Sequence, residues 1–207
     1  MQNWIICLKH GDKYSSEYVN KLHNMVRRNC TLPFRFGCYT ENPKGLDPQI
    51  EVFPLPDIGM ISGWWYKPYF FNPNIPTQGR ILYFDLDVII FRNIDQLFTW
   101  EDDTFCIIRD FNRHIRSDWN RMNSSVFRLK TGQHQYVWNN FIKQPDINSK
   151  KMHGDQDWIF AHVKSDYKFW PDEWIQSYKW EMRGMPPLTR DAAGHRNFVS
   201  PGVPKIL

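Results

Sequence analysis

Residues 79–98, GRILYFDLDVIIFRNIDQLF, hold the reading that decides the fold. Ile81, Leu82, Tyr83 and Phe84 make an apolar and aromatic run that reads as a buried strand. Asp85 and Asp87 follow, with only Leu86 between them, and Val88, Ile89, Ile90 and Phe91 return at once to apolar character. In an extended chain, side chains two residues apart point the same way, so the two carboxylates are expected to face one side together at the end of a core strand. Like charges held that close repel, and burial raises the cost of each. A divalent cation relieves the repulsion, and Mg²⁺ or Mn²⁺ suits carboxylate oxygens. The plainer alternative is a polar turn between two strands with both aspartates solvated. The apolar flanks on both sides argue against an ordinary solvated turn. Asn93 to Phe98 then reads as a short helical turn.

A chain of 207 residues is enough for one domain with a substantial core. Hydrophobic content of 42% against 23% charged residues points to a folded protein rather than a disordered one. The net charge of +4 fits an anionic small substrate or a weak preference for a membrane surface, and it does not call for nucleic acid. Cys7, Cys30, Cys38 and Cys106 show no CxxC spacing and read as reduced, mostly buried thiols of a cytoplasmic protein. Residues 4–8 are too short for a signal-peptide core, and no window approaches the roughly 20 apolar residues of a membrane span.

Along the chain, residues 4–8 read as a first, central strand. A helix follows from Ser15 or Ser16 to about Asn29, with Tyr18, Leu22, Met25 and Val26 at helical spacing. Residues 34–39 and 50–53 read as the next two strands, a βαβ opening that predicts an α/β protein with a parallel sheet. No GxGxxG follows the first strand, so the dinucleotide fingerprint is missing. The cluster GWWYKPYFF places one cation, Lys67, among aromatics; it is either a snorkelling surface lysine or a group set near anionic phosphate. Residues 105–109 read as a strand, 110–122 as a polar, basic loop over the site, and 123–129 as a strand opening on Asn123, Ser124 and Ser125. A helix is expected from Thr131 and Gly132, then a solvated linker over 145–151, then a short helix beginning near Gly154-Asp155-Gln156. Asp155 near a helix start also fits a simple dipole partner.

Taken in order, these motifs resemble glycosyltransferase family 8, the group containing glycogenin and the bacterial lipopolysaccharide hexosyltransferases. YFDLDVIIFRNIDQLF is similar to that family's strand, DxD, second strand over residues 88–91 and "NIDxLF" continuation; SSVFRL to its "NSGVF" strand; HGDQDWI to its "GDQ" helix start. The resemblance covers residues 4–179, and the combination is more specific than any one piece. It implies a single GT-A catalytic domain, a Rossmann-like α/β sandwich around a mostly parallel mixed sheet. It also implies retaining transfer of a hexose from a UDP-sugar to a carbohydrate or glycolipid acceptor, with Mn²⁺ or Mg²⁺. Carried onto this sequence, Asp85 and Asp87 bind the metal and Asp85 also touches the ribose. Tyr14 stacks on the uracil beside the backbone from Leu8 to His10, and Lys67 contacts the donor. Asn123 and Ser124 line the sugar pocket, and Asp155 and Gln156 sit under the donor sugar as the catalytic pair.

Two departures from the family pattern stand out. Ser125 occupies a position where the pattern has Gly, which bears on donor identity. The "HG" element whose His is the family's third metal ligand does not follow Leu207, so the chain reads as a truncated form with a loose tail after about Arg183. His195 is out of register as a substitute. Two rival readings remain. One is a haloacid-dehalogenase-like phosphatase, whose DxDx[TV] motif Asp85 to Val88 fits but which carries it on the first strand. The other is a degenerate, non-catalytic nucleotide-sugar-binding module.

Overall fold

The computed structural model describes residues 1–59, 61 and 63–183. The expectations placed on the tail after Arg183, His195 included, lie outside the described residues. Seven strands, β1 (Asn3–Lys9), β2 (Arg35–Thr40), β3 (Glu51–Phe53), β4 (Arg80–Phe84), β5 (Phe105–Arg109), β6 (Met122–Lys130) and β7 (Tyr167–Phe169), form one sheet in the order β3-β2-β1-β4-β6-β5-β7. All the pairings are parallel except those of β6, which runs antiparallel to both β4 and β5. The first strand is interior, but β4, the strand of the opening quotation, takes the middle place.

The unbroken apolar runs of β1 and β4 follow from burial on both faces. On one face Ile5, Cys7, Leu82 and Phe84 pack against Val19, Leu22 and Val26 of helix α1 (Ser16–Asn29). On the other, Trp4, Ile6, Ile81 and Tyr83 meet Tyr66, Phe70 and Phe71 of a 3₁₀ helix (Gly63–Phe71), together with α3 (Tyr136–Phe141) and α5 (Asp155–His162). Aromatic rings fill much of this face: Tyr83 stacks on Phe127 at 4.8 Å and Phe71 on Phe127 at 5.9 Å. Gly79 is required where β4 begins. Its φ is +125°, and a Cβ would stand 2.3 Å from the Gln2 carbonyl oxygen that accepts from Arg80 N–H. All four cysteines are free and buried. Among the described residues no helix is long and apolar enough to cross a membrane.

The NID turn has a local cause. Asn93 Oδ1 accepts from Asp95 N–H at 2.9 Å, an Asx turn, while Asp95 reaches back to accept from Thr31 N–H at 2.8 Å. This ties the entry of α2 (Gln96–Thr99) to the end of α1. Several expectations are corrected. Residues 88–91 do not resume a strand; only Ile90 makes a bridge. The helix expected from Thr131 starts at Tyr136, after a turn in which Gly132 takes φ +89°. The expected linker over 145–151 contains a short helix, α4 (Pro145–Asn148), with proline in its first turn.

Candidate active site

The strand order puts a switch point between β1 and β4. From β1 the chain moves outward to β2 and β3 on one side, and β4 lies on the other. Loops leaving adjacent parallel strands in opposite directions open a crevice at the strands' C-terminal ends, the usual ligand site of such sheets. A cavity of about 370 Å³ lies there. Leu8, His10 and Tyr14 reach it from the end of β1, and Asp85, Leu86 and Asp87 from the end of β4. Because β6 runs the other way, its first residues also arrive at this end and bring Ser124 and Ser125; α5 adds Asp155, Gln156 and Asp157.

The DxD residues are not extended. The chain turns at Leu86 and Asp87, with Val88 N–H directed at the Asp85 carbonyl at 3.4 Å. The two carboxylates still share the cavity but meet different surroundings. Asp85 points inward: Tyr83 hydroxyl donates to its Oδ1 at 2.7 Å, and Lys67 Nζ lies 2.9 Å from Oδ1 and 3.0 Å from Oδ2. Asp87 is exposed, and its Oδ2 accepts from the Tyr14 hydroxyl at 3.0 Å. The chain thus turns here, with Asp87 solvated and the partly exposed Asp85 tied to Lys67 and Tyr83.

Lys67 is not a snorkelling surface lysine. It is 4% exposed, and beyond Asp85 its ammonium approaches the carbonyl and hydroxyl of Ser124 at 3.3 Å each and Asp155 Oδ2 at 3.8 Å. Burial alone would lower its pKa, but Asp155 and Asp85 outweigh burial, and the net shift is upward, so the charged form is secured. Asp155, also 4% exposed, opens α5 after Gly154. Burial pushes its carboxyl above the ordinary carboxylate value, with Lys67 opposing only in part. Lys67 is shared between the two carboxylates, at 2.9 Å from Asp85 and 3.8 Å from Asp155. Asp155 Oδ2 has no hydrogen-bond partner among the described residues. Burial, then the charge of Asp85, also raises the Tyr83 phenol well above its usual range, which keeps it a donor.

Of the residues named from the sequence, Leu8, Tyr14, Lys67, Asp85, Ser124, Asp87, Asp155 and Gln156 line this cavity. Asn123 does not stand in its wall; its Oδ1 accepts from Ser125 N–H at 3.0 Å and shapes the strand start instead. The sequence reading missed Tyr83, Trp64, His153 and the His10 ring. Tyr83 looked like one more core aromatic, and only its position two residues before Asp85 hinted otherwise. Trp64, 52% exposed at the rim, carries no sequence signal that separates it from the other rings of the GWWYKPYFF cluster. For a metal, the donor set is carboxylate oxygen with Asp87 the open ligand and Asp85 anchored behind it. Among the described residues no group of three or more His, Cys, Asp or Glu side chains could hold an ion. With both Asp85 oxygens held by Lys67 and Tyr83, Asp87 is the open carboxylate of the pair, and a cation here would draw most of its ligands from substrate oxygens and water.

No family model and no curated protein matches this chain. Solved structures do. The chain is similar to the glycosyltransferase GlyE of Streptococcus pneumoniae TIGR4, with a TM-score of 0.57 and 13% identity over 84% of this chain and 47% of that one. It is similar to the galactosyltransferase LgtC, solved in complex with donor and acceptor sugar analogues, at TM-score 0.56 and 14% identity over 83% of this chain and 74% of LgtC. An active-site mutant of LgtC gives TM-score 0.58 at 13% identity. The chain thus spans about half the length of GlyE and three quarters of LgtC. At this identity the likeness establishes the architecture: the chain has the GT-A glycosyltransferase fold.

Proposed function

We propose that this chain is a retaining hexosyltransferase that takes its sugar from a UDP-sugar and passes it to an acceptor hydroxyl. The observation that carries the reading is the buried Lys67 held between Asp85 and Asp155 at the β1–β4 switch point, with Asp87 open beside it. Tyr14 at the β1 side offers a ring for the base. A divalent cation, when bound, would neutralise the diphosphate as charge grows on the leaving group. The chain's own contribution is orientation. Lys67 and Tyr83 fix Asp85, and the Tyr14 hydroxyl holds one oxygen of Asp87. Asp155, with an oxygen left free of hydrogen bonds, supports positive charge developing at the anomeric carbon. The phosphatase reading finds less support, since the DxD follows the fourth strand in the chain and Asp85 is already committed to Lys67 and Tyr83.

Calorimetric titration tests the reading. UDP is expected to bind at least about tenfold more tightly in Mn²⁺ than in EDTA, because two carboxylates repel a bare diphosphate. Asp87→Asn should bring that ratio close to one while leaving the fold intact, since Asp87 is exposed. Equal affinity in EDTA and Mn²⁺ for the unaltered chain would remove the metal from the proposal.

Asp155→Asn separates catalysis from stability. Transfer or hydrolysis of a UDP-hexose should fall about a hundredfold or more. Stability should move the other way. A carboxyl whose folded pKa lies above its unfolded value stabilises fully below the unfolded value and loses that contribution as pH rises through the folded one. The asparagine does not titrate, so its urea midpoint should match or exceed the unaltered chain at pH 7 and lose that advantage near pH 4. A variant less stable at pH 7 would show that Asp155 earns its place through the ion pair.

A further inference from the structure

A second cavity, of about 510 Å³, adjoins the first. His153, Gln156 and Asp157 line both, so the start of α5 is the ridge between them. The far wall comes from the loop between β5 and β6, the basic stretch that the donor pocket does not use. This loop is closed at its base by Asp110 N–H donating to the Arg121 carbonyl at 2.8 Å. Inside it, Trp119 Nε1–H donates to Asp110 Oδ1 at 2.9 Å, and Asn112 donates to the same oxygen from its backbone at 3.0 Å and its side chain at 2.8 Å. Asp110, 7% exposed, is thereby consumed as an anchor that fixes the indole ring in the cavity wall. The indole so fixed has Arg116 over it at 5.1 Å and stands beside planar polar side chains, a setting that suits the apolar face and hydroxyl rim of a sugar ring.

The charges on that wall say more. The other arginines of the loop are paired: Arg109 with Asp172, Arg113 with Asp172 and Glu181, Arg116 with Asp118. Among the described residues Arg121 has no carboxylate partner. Its guanidinium lies over the Phe160 ring at 4.6 Å and the Trp119 ring at 6.0 Å, a placement that orients a planar fork without neutralising it. Lys151 donates to the neutral Asn148 Oδ1 at 3.3 Å and likewise has no carboxylate partner among the described residues. Both cations line this cavity and not the first.

We propose that this second cavity is the acceptor site and that it selects a saccharide carrying an anionic group, phosphate or carboxylate, read by Arg121 and Lys151 while the ring lies on Trp119. The inference rests on the transferase reading of the adjoining pocket. The test keeps the two apart by measuring binding alone. Glucose 6-phosphate, glucuronic acid and glucose are titrated separately against the full chain by saturation-transfer NMR, and UDP with Mn²⁺ by calorimetry. At least one anionic sugar is expected to bind tenfold or more tightly than glucose, and the pair of arms shows whether phosphate or carboxylate is preferred. The double variant Arg121→Ala/Lys151→Ala, both positions exposed, should reduce that preference to within twofold while leaving UDP affinity unchanged within twofold. Trp119→Phe, which keeps a ring, should bind the anionic sugar better than Trp119→Ala. Equal binding of all three sugars to the unaltered chain, or a preference untouched by the double variant, overturns the proposal even if UDP binds. Anionic sugar binding without UDP binding sinks the donor reading and with it the acceptor role, and leaves standing only the anionic-sugar selectivity of the second cavity.

Discussion

Lys67→Ala is expected to cost about 3–5 kcal/mol of folding stability, the range for removing one partner of a buried ionic cluster. Nothing else among the described residues neutralises Asp85 and Asp155, whose carboxylates lie 2.9 Å and 3.8 Å from the ammonium. The Ser124 carbonyl and hydroxyl lose a donor as well. For a chain of this size the loss corresponds to a fall in Tm of about 10 °C. The double variant Lys67→Ala/Asp155→Asn should recover part of the loss, with a coupling of about 1–3 kcal/mol, because it removes the charge that the alanine leaves uncompensated. Urea denaturation of both singles and the double at pH 7 measures it. A single-variant loss below about 1 kcal/mol, or strict additivity, would mean that Lys67 does not hold the two carboxylates together.

Arg128→Met should be comparably damaging, about 3–5 kcal/mol, for a reason remote from chemistry. Arg128 sits on β6, is 1% exposed and has no carboxylate partner among the described residues. Its guanidinium donates to the carbonyls of Leu97 and Phe98 at 2.9 Å each, Glu101 at 2.7 Å and Thr104 at 3.0 Å, and lies 3.0 Å from Cys106 Sγ. It thus satisfies the last carbonyls of α2 and the loop into β5, where Glu101 and Asp103 both take positive φ. Methionine fills the volume but leaves these acceptors bare. If the proposed reading holds, UDP affinity measured well below the variant's Tm stays within twofold, since the residue lies outside the cavity between β1 and β4. A stable Arg128→Met chain would show that water reaches those carbonyls.

The expected division between β4 and the DxD shows how far local pattern carries. Alternation is invisible in a strand buried on both faces, yet Ile81 to Phe84 were legible as a strand from their apolar content, and residues 93–98 as a short helical turn; the Asx bond that starts that turn is a finding of the structure. The single antiparallel member of the sheet, β6, was not legible, because strand direction depends on which neighbour completes the hydrogen-bond ladder. That direction is what delivers Ser124 and Ser125 to the cavity rather than to the opposite end.

The sequence by itself determined the α/β order of elements, the buried runs of β1 and β4, the carboxylate pair at the end of β4 and the helix opening on Asp155. These are short-range consequences of residue type and spacing. It also carried enough motif order to point to the GT-A fold. Only the tertiary structure decided that Lys67 is buried between Asp85 and Asp155, that Tyr83 donates to Asp85, that Asn123 stands outside the cavity wall, and that Asp85 and Asp87 meet different surroundings. The placing of Lys67 turns on contacts between residues far apart in the chain, whereas the bonds from Tyr83 to Asp85 and from Ser125 to Asn123 span only two residues and depend on how the strand ends are oriented. The chain turn at Leu86, with Leu86 and Val88 packed into the core, separates two otherwise equivalent aspartates.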